Sequence, residues 1–129
     1  PTEQVWQKPA VKFLLRNPEM SANQMYELLA EHIDSRRAHV TYSIDAGLLE
    51  VAAPGVNKAA GLEFLANHLG VAAADVIAFG DMPNDIEMLR WAGRGVAVEN
   101  AHPAVRQAAD MVTGSNDDAG IAQIIERWL

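Results

Sequence analysis

The feature that most constrains the fold is a set of short, continuous apolar runs in the second half of the chain. They occupy residues 76–79, 95–98 and 111–112, and helical patterns separate them. A strand that is apolar at successive positions is buried on both faces, which is typical of a parallel sheet covered by helices. The sequence therefore predicts an α/β fold with a parallel sheet in residues 54–129.

Helices are predicted between these strands. One begins near Lys58, a second runs through Ile86 and Leu89, and a third begins at Pro103. A fourth helix is predicted at the end of the chain. The helical repeat of apolar residues predicts that the first and last of these helices each bury one face. Those faces comprise Leu62, Leu65 and Leu69 in the first helix, and Ile121, Ile124, Ile125, Trp128 and Leu129 in the last.

The first part of the chain has a different pattern, which predicts an α+β segment. Residues 11–15 form an apolar run that predicts a strand. A helix is predicted after Pro18, and Ser21 and Gln24 have the spacing of a capping box at its start. One face of this helix comprises Met25, Leu28, Leu29, His32 and Ile33.

A β-hairpin is predicted next. Val40, Tyr42 and Ile44 alternate with polar residues, and this period of two is typical of a half-buried antiparallel strand. The chain then turns at residues 45–47 and returns as a second strand over residues 48–51. Since the pattern changes near Pro54, we expect one domain in residues 1–53 and another in residues 54–129.

Composition excludes several classes of function. The net charge of −7 argues against nucleic-acid binding, because proteins that bind nucleic acids are usually basic. A local pocket can still bind a small phosphorylated molecule. The absence of cysteine rules out disulfides and thiolate zinc sites and favours a reducing compartment, which we expect to be the cytoplasm. No apolar run is long enough to span a bilayer and no signal peptide is evident, so no membrane association is expected.

The strongest chemical signal is the segment Gly80-Asp81-Met82-Pro83-Asn84-Asp85, which lies between a predicted strand and a predicted helix. Ligands of open parallel sheets bind at the carboxyl ends of strands. Gly80 is expected to allow a sharp backbone turn, and Asp81 then offers a carboxylate oxygen suited to magnesium. Asn84 lies in the first helical turn, where free N–H groups favour an anion. Asp85 could hold the surroundings of Asp81 in place or reach the metal through water.

A structural interpretation of the same residues stays open. An aspartate before a helix is a common N-cap, and one in the first turn complements the helix dipole. Capping needs only one such residue, however, whereas three polar side chains stand at this strand end.

Lys58 is the second signal, because a cation at a helix N-terminus lies at the electrostatically unfavourable end. It follows Pro54-Gly55-Val56-Asn57 directly. Its ammonium could bind the oxygens of a phosphate group as a point charge, or it could be an ordinary solvated lysine.

Taken together, these segments resemble the closing half of Cof-type hydrolases of the haloacid dehalogenase superfamily. The lysine upstream of a Gly-Asp-x-x-Asn-Asp segment is a specific combination, and residues 54–129 match closely. Residues 11–53 resemble more loosely the last portion of that family's inserted cap domain. The matching segments are residues 56–62, 80–89, 98–101, 109–113 and 115–121.

The resemblance implies half of a Rossmann-like parallel sheet core with a partial α+β cap lobe. It also implies a Mg²⁺-dependent phosphatase that acts on small phosphorylated metabolites through an aspartyl-phosphate intermediate. Lys58 would contact the phosphate and the nucleophile, Asp81 would bind the metal, Asn84 would contact the substrate phosphate, and Asp85 would support the metal site. We expect Lys58, Asp81 and Asn84 to face one hollow and any Mg²⁺ to keep mostly water ligands.

One expected motif is absent. The family carries an Asp-x-Asp motif after its first strand, in which the first aspartate attacks phosphorus and the second acts as general acid and base. No Asp-x-Asp occurs in these 129 residues, and the chain does not begin with Met. We therefore expect an inactive fragment of a longer phosphatase, whose partner would be its missing N-terminal half. The alternative is a non-catalytic module that binds metal or phosphate, or that self-associates.

Overall fold

The computed structural model describes residues 9–127, and the chain divides between Gly55 and Val56 into two compact units. The first unit contains a three-stranded antiparallel sheet and one helix within the described residues. The elements are β1 (Lys12–Arg16), α1 (Ala22–Ala30), β2 (His39–Thr41) and β3 (Leu48–Ala52). Strand β3 is central, with Phe13 of β1 opposite Val51 on one side and Val40 of β2 opposite the same residue on the other.

The start of α1 confirms the predicted capping box. The backbone N–H of Gln24 donates to Ser21 Oγ over 3.1 Å, and the backbone N–H of Ser21 donates to Gln24 Oε1 over 3.0 Å. Two of the free N–H groups at the helix start are thereby satisfied, which fixes where the helix begins.

Two predictions for this unit are wrong in extent. Helix α1 ends before His32 and Ile33, which lie in a turn instead of on the helical face. The strand predicted through Ile44 stops at Thr41, and the side chain of Ile44 is exposed. Residues 42–47 form the connection to β3, so the alternating pattern continues in the sequence beyond the end of the strand.

The connection to β3 requires glycine at one position. Gly47 has φ of 64°, and a Cβ there would lie 2.1 Å from the carbonyl oxygen of Asn17. The backbone N–H of Asn17 also donates to the carbonyl of Gly47 over 2.9 Å. Only a residue without a side chain combines this backbone conformation with this close approach.

The second unit is the predicted α/β fold with a parallel sheet. The elements are α2 (Lys58–Leu69), β4 (Ile77–Gly80), α3 (Ile86–Trp91), β5 (Arg94–Ala97), α4 (Pro103–Ala108), β6 (Met111–Val112) and α5 (Gly120–Ile125). The strands lie in the order β4-β5-β6, with Ile77 opposite Arg94, Gly80 opposite Ala97, and Ala97 in turn opposite Val112. The core packs around Ala78, Leu89, Ala97, Val98 and Val105.

The burial predicted for this unit is partly wrong. In β4 only Ala78 and Gly80 are buried, whereas Ile77 and Phe79 are half-buried. Within the described chain, β4 pairs with β5 alone, and its other edge has no strand beside it.

The helix faces that were predicted to be buried are also more exposed than expected. Leu65 and Leu69 of α2 are exposed, and so are Ile121 and Ile125 of α5. Ala66 of α2 and Ile124 of α5 are buried, whereas Trp128 and Leu129 lie outside the described residues. The helical periodicity predicted the apolar faces, but not whether anything covers them. No helix in residues 9–127 is long and apolar enough to cross a membrane.

Candidate active site

A hollow of about 300 Å³ lies at the carboxyl edge of the parallel sheet. This edge is where β4 ends at Gly80 and β5 ends at Ala97. The polar residues that line the hollow are Lys58, Asp81, Asp85 and Asn116, and its apolar lining comprises Phe79, Met88, Val98 and Ile121, with Gly80. A concave site with a few polar groups on an apolar background is the usual form of a small-molecule site.

Asp85 is the most buried polar residue of the hollow, with 3% of its surface exposed. Its Oδ2 accepts hydrogen bonds from the backbone N–H groups of Asp81, over 3.0 Å, and Met82, over 3.1 Å. Its Oδ1 accepts from Nζ of Lys58, with which it forms an ion pair. Asp85 was predicted either to hold the surroundings of Asp81 in place or to reach a metal through water. The contacts that the structure shows are those of the first role.

The local sequence explains how Asp85 reaches back. A 3₁₀ turn at Pro83–Asp85 follows Met82, and proline at the first position of the turn fixes φ. The turn returns the chain so that the carboxylate caps the N–H groups that its own loop leaves free.

Gly80 is required for a different reason from the one predicted. Its φ is not in the left-handed region, so a sharp backbone turn does not demand glycine here. A Cβ at Gly80 would instead lie 2.5 Å from Cβ of Asp85, far closer than two side chains can approach. The missing side chain makes room for Asp85.

Lys58 is the first residue of α2, and its side chain is half-exposed. The helix start itself is capped by Asn57, whose Oδ1 accepts from the backbone N–H of Ala60 over 2.9 Å. The unfavourable position of the lysine at a helix N-terminus is offset by the carboxylate of Asp85, 27 residues further along the chain. Lys58 is therefore an ion-paired residue of the hollow and not an ordinary solvated lysine.

Asp81 follows β4 directly and is exposed. Its carbonyl oxygen accepts from the backbone N–H of His102 over 2.8 Å. Its carboxylate makes no hydrogen bond within the part of the chain that the structure describes, so it does not cap α3. The Asp85 side chain makes no capping hydrogen bond to α3 either, and instead caps the start of the 3₁₀ turn through the N–H of Met82. The charged oxygens of Asp81 stay available on the hollow.

Asn84 is not among the residues that line the hollow, although we expected it there. It lies in the 3₁₀ turn, and its Oδ1 is buried without a hydrogen-bond partner in residues 9–127. A buried polar atom of this kind costs free energy unless a partner satisfies it.

The structure adds a pair of asparagines that we did not predict as site residues. Nδ2 of Asn100 donates to Oδ1 of Asn116 over 2.7 Å, and the backbone N–H of Asn116 donates to Oδ1 of Asn100 over 3.2 Å. Asn100 lies after β5 and Asn116 after β6. Their position beyond two adjacent parallel strands is the signal that could have identified them.

No group of three histidine, cysteine, aspartate or glutamate side chains that could hold a metal ion is present between residues 9 and 127. Of the carboxylates on the hollow, Asp81 is the one with uncommitted oxygens, since those of Asp85 accept from Lys58 and from two backbone N–H groups.

The chain is similar to known proteins over most of its length. Residues 1–125 match the family model of haloacid dehalogenase-like hydrolases. The 5-amino-6-(5-phospho-D-ribitylamino)uracil phosphatase YitU of Bacillus subtilis is 39% identical over 99 residues, which are 77% of this chain and 35% of that protein. The HMP-PP phosphatase of Yersinia enterocolitica is 34% identical over 114 residues, which are 87% of this chain and 41% of that protein.

A structural relative agrees with these matches. The solved structure of a sugar phosphatase of haloacid dehalogenase subclass IIB superposes with a TM-score of 0.80 at 28% identity, over 98% of this chain and 46% of that chain. The chain thus spans less than half the length of each of these three relatives.

Proposed function

The chain belongs to the haloacid dehalogenase-like hydrolases, and we propose that it forms the magnesium- and phosphate-binding part of a phosphatase active site. The substrate would be a small phosphorylated metabolite, and the nucleophile would come from a segment that this sequence does not contain. The observation that carries the proposal is the meeting of Lys58, Asp81 and Asp85 on one hollow at the carboxyl edge of the sheet.

The charges on the hollow support a cation as part of the site. Lys58 and Asp85 neutralise each other, so the carboxylate of Asp81 is left as an uncompensated negative charge. A phosphate group entering the hollow would be repelled by Asp81 unless a cation lay between them. Mg²⁺ fits this requirement, because it binds through one or two carboxylates and substrate oxygens and keeps several waters.

We assign the metal contact to Asp81, and to Asp85 the support of the metal site through the backbone of residues 81 and 82. When bound, Mg²⁺ supplies positive charge to the oxygens of the transferring phosphoryl group. Lys58 faces the same oxygens as a point charge, and its ion pair with Asp85 holds the ammonium in the hollow. The resemblance implies that Asn84 contacts the substrate phosphate, although its side chain is not among those that line the hollow.

The chain's own residues do not complete the reaction. Phosphoryl transfer through an aspartyl-phosphate needs a carboxylate in line with the leaving group, and the resemblance assigns that role to an Asp-x-Asp motif that is absent here. Asp81 and Asp85 bind and position in this proposal and do not attack phosphorus.

The substrate class rests on the relatives. The two curated relatives are named for a phosphoribitylamino-uracil and for HMP-PP, and the structural relative is a sugar phosphatase. We infer for this chain the feature these names share, a phosphorylated small molecule.

Mn²⁺, a paramagnetic substitute for Mg²⁺, tests the metal site. In NMR spectra of the chain, we expect Mn²⁺ to broaden the resonances of residues 80–85 first, because Asp81 is the free carboxylate. Asp81→Asn should reduce the affinity at least about tenfold through the loss of the charged ligand. The matched control is Asp75→Asn, which removes an exposed carboxylate of the same unit away from the hollow. Broadening centred elsewhere, or unchanged by Asp81→Asn, would overturn the proposal.

A second candidate is a non-catalytic module that binds metal or phosphate, or that pairs with its own copy. The missing Asp-x-Asp and the open edge of β4 favour it. The intact mass of the native protein and the coding sequence upstream of Pro1 distinguish the two. An in-frame Asp-x-Asp upstream supports the phosphatase, whereas a start codon at this point supports the module.

A further inference from the structure

The side-chain amides of Asn100 and Asn116 are oriented by their hydrogen bonds to each other, and Asn116 lines the hollow. Because Oδ1 of Asn116 accepts from Asn100, the remaining polar atom of the Asn116 side chain is Nδ2, which is a donor. The backbone N–H of Asn116 donates to Oδ1 of Asn100, so Asn100 acts as donor and acceptor at once. Reversal of the Asn116 amide would break the first of these hydrogen bonds, and reversal of the Asn100 amide would break both.

Asn116 is exposed, and its Nδ2 donates to no protein acceptor in residues 9–127. Asn116 lines the same hollow as Lys58 and Asp81. An N–H donor that the protein holds in orientation but leaves unused at such a site can bind an acceptor oxygen of a ligand.

The loop that carries Asn116 also has hydrogen bonds among its own residues. Oγ1 of Thr113 donates to the carbonyl of Gly120 over 2.7 Å in a buried position, and the backbone N–H of Gly120 donates to the carbonyl of Ser115 over 2.9 Å. Gln123 Nε2 also donates to the carbonyl of Asp118 over 3.0 Å. These bonds close the loop on its own residues, and the contact between Asn100 and Asn116 adds a connection to the loop after β5.

We propose that Asn116 binds an oxygen of the phosphorylated ligand through Nδ2, and that Asn100 is the positioning residue that keeps this amide turned with its donor available. This inference rests on the proposed phosphate site and adds to it a ligand contact from the loop after β6. The donor then lies on a different loop from Lys58 and Asp81, and the ligand is bound from two sides of the strand ends.

Inorganic phosphate in the presence of Mg²⁺ is the probe, and ¹⁵N NMR of the full chain is the measurement. The side-chain NH₂ resonances of Asn116 should shift as phosphate is added, and a purely structural asparagine would not show this. Asn116→Ala should weaken phosphate binding about fivefold to tenfold through the loss of one hydrogen bond to a charged group. Asn100→Ala should weaken it about threefold, because the amide of Asn116 is then free to reverse.

Two further variants separate the ligand contact from folding. Asn116→Asp keeps the acceptor for Asn100 and loses the donor, so it should weaken phosphate binding without lowering the melting temperature. Asn67→Ala makes the same change as Asn116→Ala at an exposed position of α2 outside the hollow, and it should leave phosphate binding unchanged.

Comparison with Lys58→Ala distinguishes this inference from the proposed function. If Lys58→Ala weakens phosphate binding and the Asn116 variants do not, the inference is wrong and the phosphate site stands. If the wild-type chain binds no phosphate, or Lys58→Ala changes nothing, the proposed function fails and the inference fails with it. Shifted Asn116 resonances together with weakened binding in both Asn116 variants support it.

Discussion

Asp85 combines two tasks in a single buried carboxylate. One oxygen holds the ammonium of Lys58 and the other holds the backbone of Asp81 and Met82. A charge is tolerated at this depth because each oxygen has its donors. The residue that shapes the hollow is therefore also one that the fold needs, whereas Asp81 has no such second task.

We predict that Asp85→Ala and Asp81→Ala differ in their effect on stability. Asp85→Ala should lower the free energy of unfolding by about 2–3 kcal/mol, mainly because two backbone N–H groups lose their acceptor; half-exposed Lys58 is readily rehydrated. Asp81→Ala should change it by no more than about 0.5 kcal/mol, as expected of an exposed side chain. Urea unfolding followed by circular dichroism measures both, and equal losses would contradict the assignment of roles.

Two glycines give a matched pair of substitutions. Gly80→Ala should destabilise the chain by about 1–3 kcal/mol, because the added methyl group meets Cβ of Asp85. Gly61→Ala places the same methyl group in open space within α2 and should stabilise by about 0.5–1 kcal/mol through helix propensity. Thermal unfolding of the two variants should shift in opposite directions. If Gly80→Ala left the melting temperature unchanged, the turn at Asp85 would have to accommodate the methyl group, and the reason given for Gly80 would be wrong.

At the residue scale, the sequence predicted which side chains meet on the hollow better than it predicted their contacts. Lys58, Asp81 and Asp85 were recognised because each lies next to the end of a strand or the start of a helix, and the resemblance supported them. The reason for Gly80 was wrong, since the approach of Asp85 depends on the exact path of the turn. The pair of Asn100 and Asn116 was missed because two separate loops must meet to form it.

At the scale of elements, the first unit joins its helix to its sheet through Tyr42. The ring is buried, with 2% of the residue exposed, and its centroid lies 6.0 Å from that of Tyr26. Oη of Tyr42 donates to Oδ1 of Asn23 in α1 over 3.0 Å. Burial, and next the negative charge of Asp45, raise the pKa of the Tyr42 hydroxyl.

The raised pKa predicts a loss of stability at alkaline pH. The folded state disfavours the phenolate, so the contribution of Tyr42 is fully present below the ordinary tyrosine pKa of about 10 and is lost as the pH rises towards the higher folded value. Urea midpoints measured between about pH 8 and pH 11 should fall in the upper part of this range. Tyr42→Phe should flatten the decline, and an equally steep decline in that variant would place its cause elsewhere.

The elements themselves were predicted well where local signals decide them. The capping box of α1 and the alternation of short strands with helices from Lys58 onwards are local patterns, and both were confirmed. The predicted burial of Leu65, Leu69 and Ile121 was wrong, because an apolar face is a property of one helix and its burial depends on what packs against it.

At the scale of the whole molecule, each unit presents large apolar side chains to solvent. In the first unit Leu14 of β1 is 60% exposed, and in the second Phe64 of α2 is 77% exposed. The relatives are more than twice as long as the part that this chain matches. Exposed apolar patches and open strand edges favour association with further polypeptide.

We predict that the isolated chain self-associates or is only marginally stable. The open edge of β4 and the exposed face of α2 are the surfaces expected to pair, despite the net charge of −7. Sedimentation velocity over a range of concentrations should show growing association, and Phe64→Ser should reduce it. A stable monomer with a cooperative melt at high temperature would argue against this expectation.

We also predict no more than trace hydrolysis of p-nitrophenyl phosphate by the isolated chain with Mg²⁺. The reason is the absent Asp-x-Asp, without which positive charge alone offers no covalent route. The rate should not differ between the wild-type chain and Asp81→Ala. Substantial turnover that follows the chain through purification and disappears in Asp81→Ala would require another nucleophile.

The division of the chain after Gly55 has a consequence for how such proteins diversify. All residues that line the hollow, from Lys58 to Ile121, are encoded after this point. Gly55 has φ of 77°, and the space around its Cα is open. In-frame recombination at the codon of Gly55 would therefore exchange the first unit as a whole and leave every residue that lines the hollow unchanged. Selection can then act on the two parts of the gene separately, with the residues of the hollow inherited from one parent and the preceding unit from another.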